Sequence, residues 1–222
     1  MRTISPGQIA VFVFLASMAS MMAFAAAWLI FPLLGWSGEF RPIIASLLFL
    51  VIMYAASIGC YRALCSISPF PVGDIPMGSR HEATYHIYLL FFLVFFYPLM
   101  KSNLVPVPLM RSIYLALGAR LGHNTYSGGI LFDPMLVDIG ANTIVGQGAM
   151  LIPHIIEGER LAHFPIRIGD NVTIGANAII LADVEIGDNA IVAVASVVTK
   201  GTRIPPGEAW GGVPAKPLRR GP

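Results

Sequence analysis

From Ile168 the chain reads IGDNVT, IGANAI, ILADVE, IGDNAI, VAVASV and VTKGTR, so an aliphatic residue returns at every sixth position: Ile168, Ile174, Ile180, Ile186, Val192 and Val198. Four places after each of the first five stands a small or β-branched residue: Val172, Ala178, Val184, Ala190 and Ser196. The same phase runs upstream through Leu121, Ser127, Asp133, Ile139, Val145 and Leu151, with Thr125, Leu131, Val137, Thr143, Ala149 and Ile155 in the companion slots. A period of six is neither the repeat of a helix nor the alternation of a lone strand. It fits a chain that turns a corner after each short strand, so that three hexads close one triangular coil. Stacked coils then place the aliphatic residues on top of one another inside, with Gly and Asn serving corners of positive φ. Six hexads before residue 156 and six from residue 168 predict about four coils, a β-helix over 121–204.

The phase breaks at 156–167. A solenoid accommodates an insertion as a loop projecting from its side, and such loops carry function more often than coils do. This loop contains or adjoins His154, Glu157, Glu159, Arg160 and His163, two of the five histidines in the chain.

The first half has a different character. The 222 residues are 56% hydrophobic and 12% charged, against roughly 25% charged in an ordinary soluble domain, and the apolar excess lies before residue 118. Residues 8–36 carry no charge, longer than the about 20 needed to cross a bilayer and too long for a signal-peptide core of about 7–15. A second uncharged run, 42–61, predicts the returning helix of an antiparallel hairpin. The positive-inside rule puts Arg2, Arg62 and Arg80 on the cytoplasmic side and leaves Glu39 and Arg41 outside. A third segment, about 84–100, is shorter, holds Pro98 and the aromatic residues Tyr88, Phe91, Phe92, Phe95 and Phe96 among others, and reads as interfacial or re-entrant. Residues 1–105 thus form a membrane domain and 106–120 a connecting helix. With two cysteines and a net charge of +2, neither a disulfide scaffold nor a nucleic-acid partner is expected.

The hexads, the loop entered by His154, the run 164–172 (FPIRIGDNV) and the ending 211–219 (GGVPAKPLR) resemble the hexapeptide-repeat acyltransferases, nearest to the galactoside/maltose/xenobiotic O-acetyltransferases. The resemblance covers about 115–220. It implies a mainly β fold, a left-handed parallel β-helix here preceded by an α-helical transmembrane or interfacial domain. It also implies a homotrimer and acetyl-CoA as co-substrate, held between subunits, with no metal. His154 takes the place of the family's catalytic histidine. Ala176, Val194, Thr199, Lys200, Lys216 and Arg219 match positions that contact CoA, and 205–222 is the CoA-binding tail.

Acyl transfer to a hydroxyl needs a base near neutrality, and histidine supplies it. Glu157 or Asp133 would orient the imidazole; Asp133 would otherwise bind acceptor hydroxyls; His163 is the alternative base or an acceptor contact. The cations Lys200, Arg203, Lys216, Arg219 and Arg220 suit CoA phosphates. Half a chain spent on membrane segments implies a membrane lipid or lipid-linked glycan as acceptor. Because acetyl-CoA is cytosolic, the expected location is the inner (plasma) membrane with the catalytic domain on the cytoplasmic side. Two alternatives use the same fold. A zinc-dependent carbonic anhydrase-like protein would need three converging histidines, for which His123, His154 and His163 are available. The other is a non-catalytic trimeric membrane scaffold.

Overall fold

The computed structural model describes residues 2–35, 38–102 and 104–218, and they divide into two compact units. One, residues 2–70 and 77–98, is helical. Helix α1 (Pro6–Ile30) starts at a capping box: Ser5 Oγ accepts from Gln8 N at 3.3 Å and Gln8 Oε1 accepts from Ser5 N at 2.9 Å. Its buried side is the small-residue stripe Ala19, Ala23 and Ala27, which lets neighbouring helices approach closely. Helix α2 follows at Arg41–Ile67, and helix α3 at Arg80–Lys101 carries a π-helical turn over Phe92–Phe96. With its short extension α1 runs to Leu34, and all three helices are long and apolar enough to cross a membrane. Trp36, the last residue of the predicted first span, lies outside the described residues.

Helix α3 departs from expectation twice. It begins at Arg80, because the Ser79 hydroxyl accepts from Glu82 N at 3.1 Å and makes the polar run its first turn, giving 22 residues. Its aromatic residues also pack inward. Tyr85, Tyr88, Phe91, Phe92 and Phe96 are buried, with Tyr88 at 5.3 Å from Tyr61 and 5.0 Å from Phe70, ring to ring. They form the core of the helical unit.

The other unit is the repeat domain with helix α4 (Val107–Leu117), to which residues Pro71–Pro76 also belong. Three parallel sheets form its walls. The first stacks Arg120–Leu121, Val137–Ile139, Ile166–Ile168, Glu185–Ile186 and Arg203–Ile204. The second stacks Tyr126–Ser127, Ile144–Val145, Thr173–Ile174, Ile191–Val192 and Ala209–Gly211, with Lys216–Pro217 added antiparallel. The third stacks Ile130–Leu131, Met150–Leu151, Ile179–Ile180 and Val197–Val198. Parallel pairing keeps strict register, Ile168 beside Ile186 and Ile174 beside Val192, so the inward residues form buried columns. Asn124, Asn142, Asn171 and Asn189 take φ of 54–60° along one corner. The outward side of the first sheet is a ladder of ion pairs: Arg120–Asp138 at 2.9 Å, Arg167–Glu185 at 3.1 Å and Arg203–Glu185 at 3.3 Å.

The structure differs from the hexad reading in the first coil and at the loop. Leu131, not Asp133, is the inward residue that pairs with Leu151, so the phase slips by two. The slip is accommodated by Gly128-Gly129, where a Cβ on Gly129 would collide with the Ala149 carbonyl, and by Asp133 at φ 41° opening a single turn over Pro134–Leu136. The segment 156–167 is mostly not a loop: His154–Glu157 and Arg160–His163 form an antiparallel hairpin, and Ile166–Ile168 is already the next coil. The coils continue past 204 into Ala209–Gly211.

Helix α4 closes the first coil. Arg111 donates to the carbonyls of Thr125 (3.0 Å), Leu121 (3.3 Å) and Gly122 (3.0 Å). The buried Tyr114 hydroxyl donates to Gly129 O at 2.7 Å and accepts from Leu131 N at 3.3 Å. Tyr114→Phe would leave a buried backbone donor without that acceptor, at a cost of roughly 1–3 kcal/mol. Thermal unfolding of the full chain in detergent should show a lower midpoint; an unchanged one would mean these bonds contribute nothing net.

Candidate active site

The site lies at the corner where the hairpin leaves the coils. The hairpin base is tied by Phe164 N donating to Pro153 O at 2.9 Å. One coil below, the αL turn at Asp133 lifts its carboxylate out of the strand pattern. His154 Nδ1–H donates to Asp133 Oδ2 at 2.5 Å, with 18% of the His154 side chain and 3% of the Asp133 side chain exposed. This contact fixes the tautomer and leaves the basic lone pair on Nε2. The Phe132 ring meets the imidazole edge-on, centroids 6.0 Å apart. Burial pulls the His154 pKa down, but the charge of Asp133 and its hydrogen bond together outweigh burial, so the net shift is upward from 6.5.

His163 is the cross-strand partner of His154 and differs from it in every respect that matters chemically. It is fully buried. Burial is the main cause that pulls its pKa down to about 4, with Asp133 opposing and His154 adding to the fall, so it is neutral at pH 7. The ring of His163, expected as an acceptor contact or the alternative base, is closed off from solvent within the hairpin. Glu157, the other candidate for orienting the imidazole, is exposed and forms an ion pair with Lys200, and the carboxylate that His154 Nδ1 meets is that of Asp133.

A shallow cavity of about 240 Å³ joins His154, Glu157 and Lys200 with Ile152, Ile155, Ile156 and Leu181. Thr199 and Lys200 turn the corner of the next coil at this same edge of the third sheet. Ala176 and Val194 lie at the opposite edge of that sheet, stacked on each other, with Ala195 N donating to Ala176 O at 2.9 Å. The approach there is close: a Cβ on Gly175 would stand 2.5 Å from Val194 N. Val194 is 65% exposed. Lys216 is exposed on the terminal antiparallel strand. Arg219 and Arg220 lie outside the described residues. The chain thus brings together His154, Asp133, His163, Glu157 and Lys200, and does not bring Ala176, Val194 or Lys216 into their cavity.

His123 lies at a different corner, where its carbonyl accepts from Asn142 N at 2.9 Å. Among the described residues no three His, Cys, Asp or Glu side chains are grouped as a metal site. Sequence reasoning missed two elements of the site. Phe132 had a signal, standing beside Asp133. The strand Gly73–Asp74, which pairs with Arg160–His163 as a third strand, had none.

Residues 165–200 match the family described as bacterial transferase hexapeptide (six repeats). The chain is 34% identical over 118 residues to galactoside O-acetyltransferase of Escherichia coli K12, covering 48% of this chain and 57% of that protein. It is 42% identical over 81 residues to 2,3,4,5-tetrahydropyridine-2,6-dicarboxylate N-acetyltransferase of Staphylococcus aureus strain JH9, covering 36% of this chain and 32% of that one. Among solved structures, the hexapeptide-repeat acetyltransferase of Vibrio cholerae O1 biovar eltor complexed with acetyl coenzyme A aligns at TM-score 0.43 and 29% identity, over 46% of this chain and 60% of that one. The chain spans about half or less of the length of these curated relatives. Residues 165–200 thus match the hexapeptide-repeat transferase model, and the repeat domain is similar to galactoside O-acetyltransferase and related acetyltransferases.

Proposed function

We propose that this protein is a membrane-bound acyltransferase that moves an acetyl or other acyl group from CoA to a hydroxyl of a membrane-held acceptor, a lipid-linked glycan or other amphiphile. The observation that carries the reading is the 2.5 Å contact between His154 Nδ1 and a buried carboxylate at the one corner where the coils break. That arrangement makes Nε2 a proton acceptor near neutral pH. Asp133 is the positioning residue: it fixes the tautomer and stabilises the imidazolium.

The residues present fit CoA. Lys200 and Lys216 are exposed cations for its phosphates, and Ala176 with the exposed Val194 offers apolar surface to the pantetheine arm. Acyl-CoA, when bound, supplies the acyl group as a thioester. His154 takes the proton of the attacking hydroxyl at Nε2 and returns it to the departing sulfur, so the enzyme ends each turnover unchanged.

The active form is a homotrimer in this reading. The outward residues of the third sheet, Ile130, Met150, Ile179 and Val197, are apolar and half-buried, while the first sheet turns an ion-pair ladder outward. An apolar wall beside a charged one suits neighbours on the former and water on the latter. Ala176 and Val194, at the edge of that wall, would then meet the His154 corner of another copy.

The repeat domain works at the inner (plasma) membrane on the cytoplasmic side. The strand Gly73–Asp74, between α2 and α3, is hydrogen-bonded to the hairpin, which follows α3 in the chain. Strands of one sheet occupy one side of a bilayer, so both ends of α3 lie on that side. Helices α1 and α2 supply two crossings, and α3 does not complete a third.

Four results are expected. His154→Ala should lower acyl transfer about 10²–10⁴-fold while acetyl-CoA binding persists; near-normal turnover would sink the assignment. In the wild type the rate should rise with pH through a midpoint above 6.5, as the imidazole loses its proton. In Asp133→Asn the opposing carboxylate charge is removed, so the midpoint should fall and the limiting rate drop; a pH–rate profile that does not move contradicts the pairing. Cysteines placed at Thr3 and Asp188 should label from the same side of the membrane, and labelling from opposite sides would refute the two-crossing topology.

A further inference from the structure

The connection between α2 and α3 does more than join two helices. Residues Pro71–Pro76 belong to the repeat domain and lie along the free edge of the hairpin that carries His154. Gly73 is the partner of His163 and Asp74 of Ala162, and Ile75 N donates to Leu161 O at 2.8 Å. Asp74 Oδ1 accepts from Arg160 Nε at 2.7 Å. Ile75, Leu161, Ala162 and His163 are all buried. The order across the sheet is strap, inner strand, catalytic strand, so Gly73, His163 and His154 form one cross-strand row.

A two-stranded hairpin projecting from a solenoid is marginal in water, and a third strand makes such a sheet stable. The His154–Asp133 contact joins this hairpin to a different coil, so its geometry is only as well defined as the hairpin's register. We propose that Pro71–Pro76 is a positioning strap for the active-site histidine, holding the hairpin so that His154 meets Asp133. Gly73 and Asp74 are its positioning residues: Gly73 takes φ 107°, open to glycine and strained for other residues, and Asp74 carries the ion pair. The inference rests on the proposed role of His154 for its functional meaning, though not for its geometry. It implies that a site proposed to act on a membrane-held acceptor is held in shape by the segment linking two apolar helices.

The test is the titration of the His154 ring, followed by NMR in the full-length chain in detergent micelles. The charged and titratable groups facing that ring or lining its cavity are Asp133, His163, Glu157 and Lys200. Three variants are compared: Asp74→Arg, which sets like charges at Arg160; the exchange Asp74→Arg with Arg160→Asp; and replacement of residues 72–75 by a Gly-Ser linker of equal length. In Asp74→Arg and the linker variant the His154 midpoint should fall toward 6.5, and hydrogen exchange of amides 155–163 should quicken at least tenfold. The exchange variant should restore both. Hydrogen exchange of amides 173–198 and acetyl-CoA binding should stay at wild-type values in all three, showing that the coils remain folded. An unchanged titration in the linker variant overturns the proposal, because the imidazole then does not depend on what the native strap residues supply. So does failure of the charge exchange to restore what Asp74→Arg lost. If His154→Ala leaves acyl transfer intact, the proposed function falls, while the strap is still judged by the titration alone.

Discussion

In the walls of the repeat domain the parallel strands have their hydrogen-bonding partners in other coils. Gly146 N donates to Ile174 O, Gly175 N to Val192 O and Ala193 N to Trp210 O, each at 2.8 Å, along one continuous ladder. Because neighbours pair in strict register, an extra residue inside any strand would turn every later side chain to the wrong face. Corners alone can absorb irregularity. The chemistry of the domain therefore had to be placed at corners, and both residues of the candidate dyad are found there, one at a slipped turn and one at an inserted hairpin.

Those two departures are coupled. A carboxylate with 3% of its side chain exposed is costly to bury unless a donor meets it, and His154 is that donor. The carboxylate in turn outweighs the desolvation that would otherwise make the imidazole a weak base. His163, one strand away, lacks such a contact with Asp133 and is driven to about 4. Two imidazoles on adjacent strands thus acquire opposite characters from their surroundings, and the neutrality of one removes repulsion from the protonation of the other.

The hexads were legible because the aliphatic period is long and strict from Ile168 onward. The apolar helices were legible for the same reason, a one-dimensional signal sustained over many residues. The misassignments have a common physical origin. Asp133 fell in phase by coincidence, since Leu131 is equally apolar and the two-residue slip is hidden in a glycine pair. Whether Glu157 or Asp133 would face His154 depended on how strand alternation in an unforeseen hairpin met a distant turn. The aromatic stripe of α3 looks the same whether it faces lipid headgroups or Tyr61 and Phe70. A paired segment as short as Gly73–Asp74 leaves no periodicity at all.

A solenoid has no inherent length, because each coil ends in the same row of unpaired amides and carbonyls that began it. Such an edge is a template on which another chain can grow. Here the first coil is covered by α4, with Arg111 and Tyr114 occupying its carbonyls. At the far end the second sheet finishes on Lys216–Pro217, which runs antiparallel and offers a charge and a residue without an N–H. The coil number is accordingly a property of the two ends and not of the repeat. Trimming either cap would turn a protein of fixed size into a seed for end-to-end fibres.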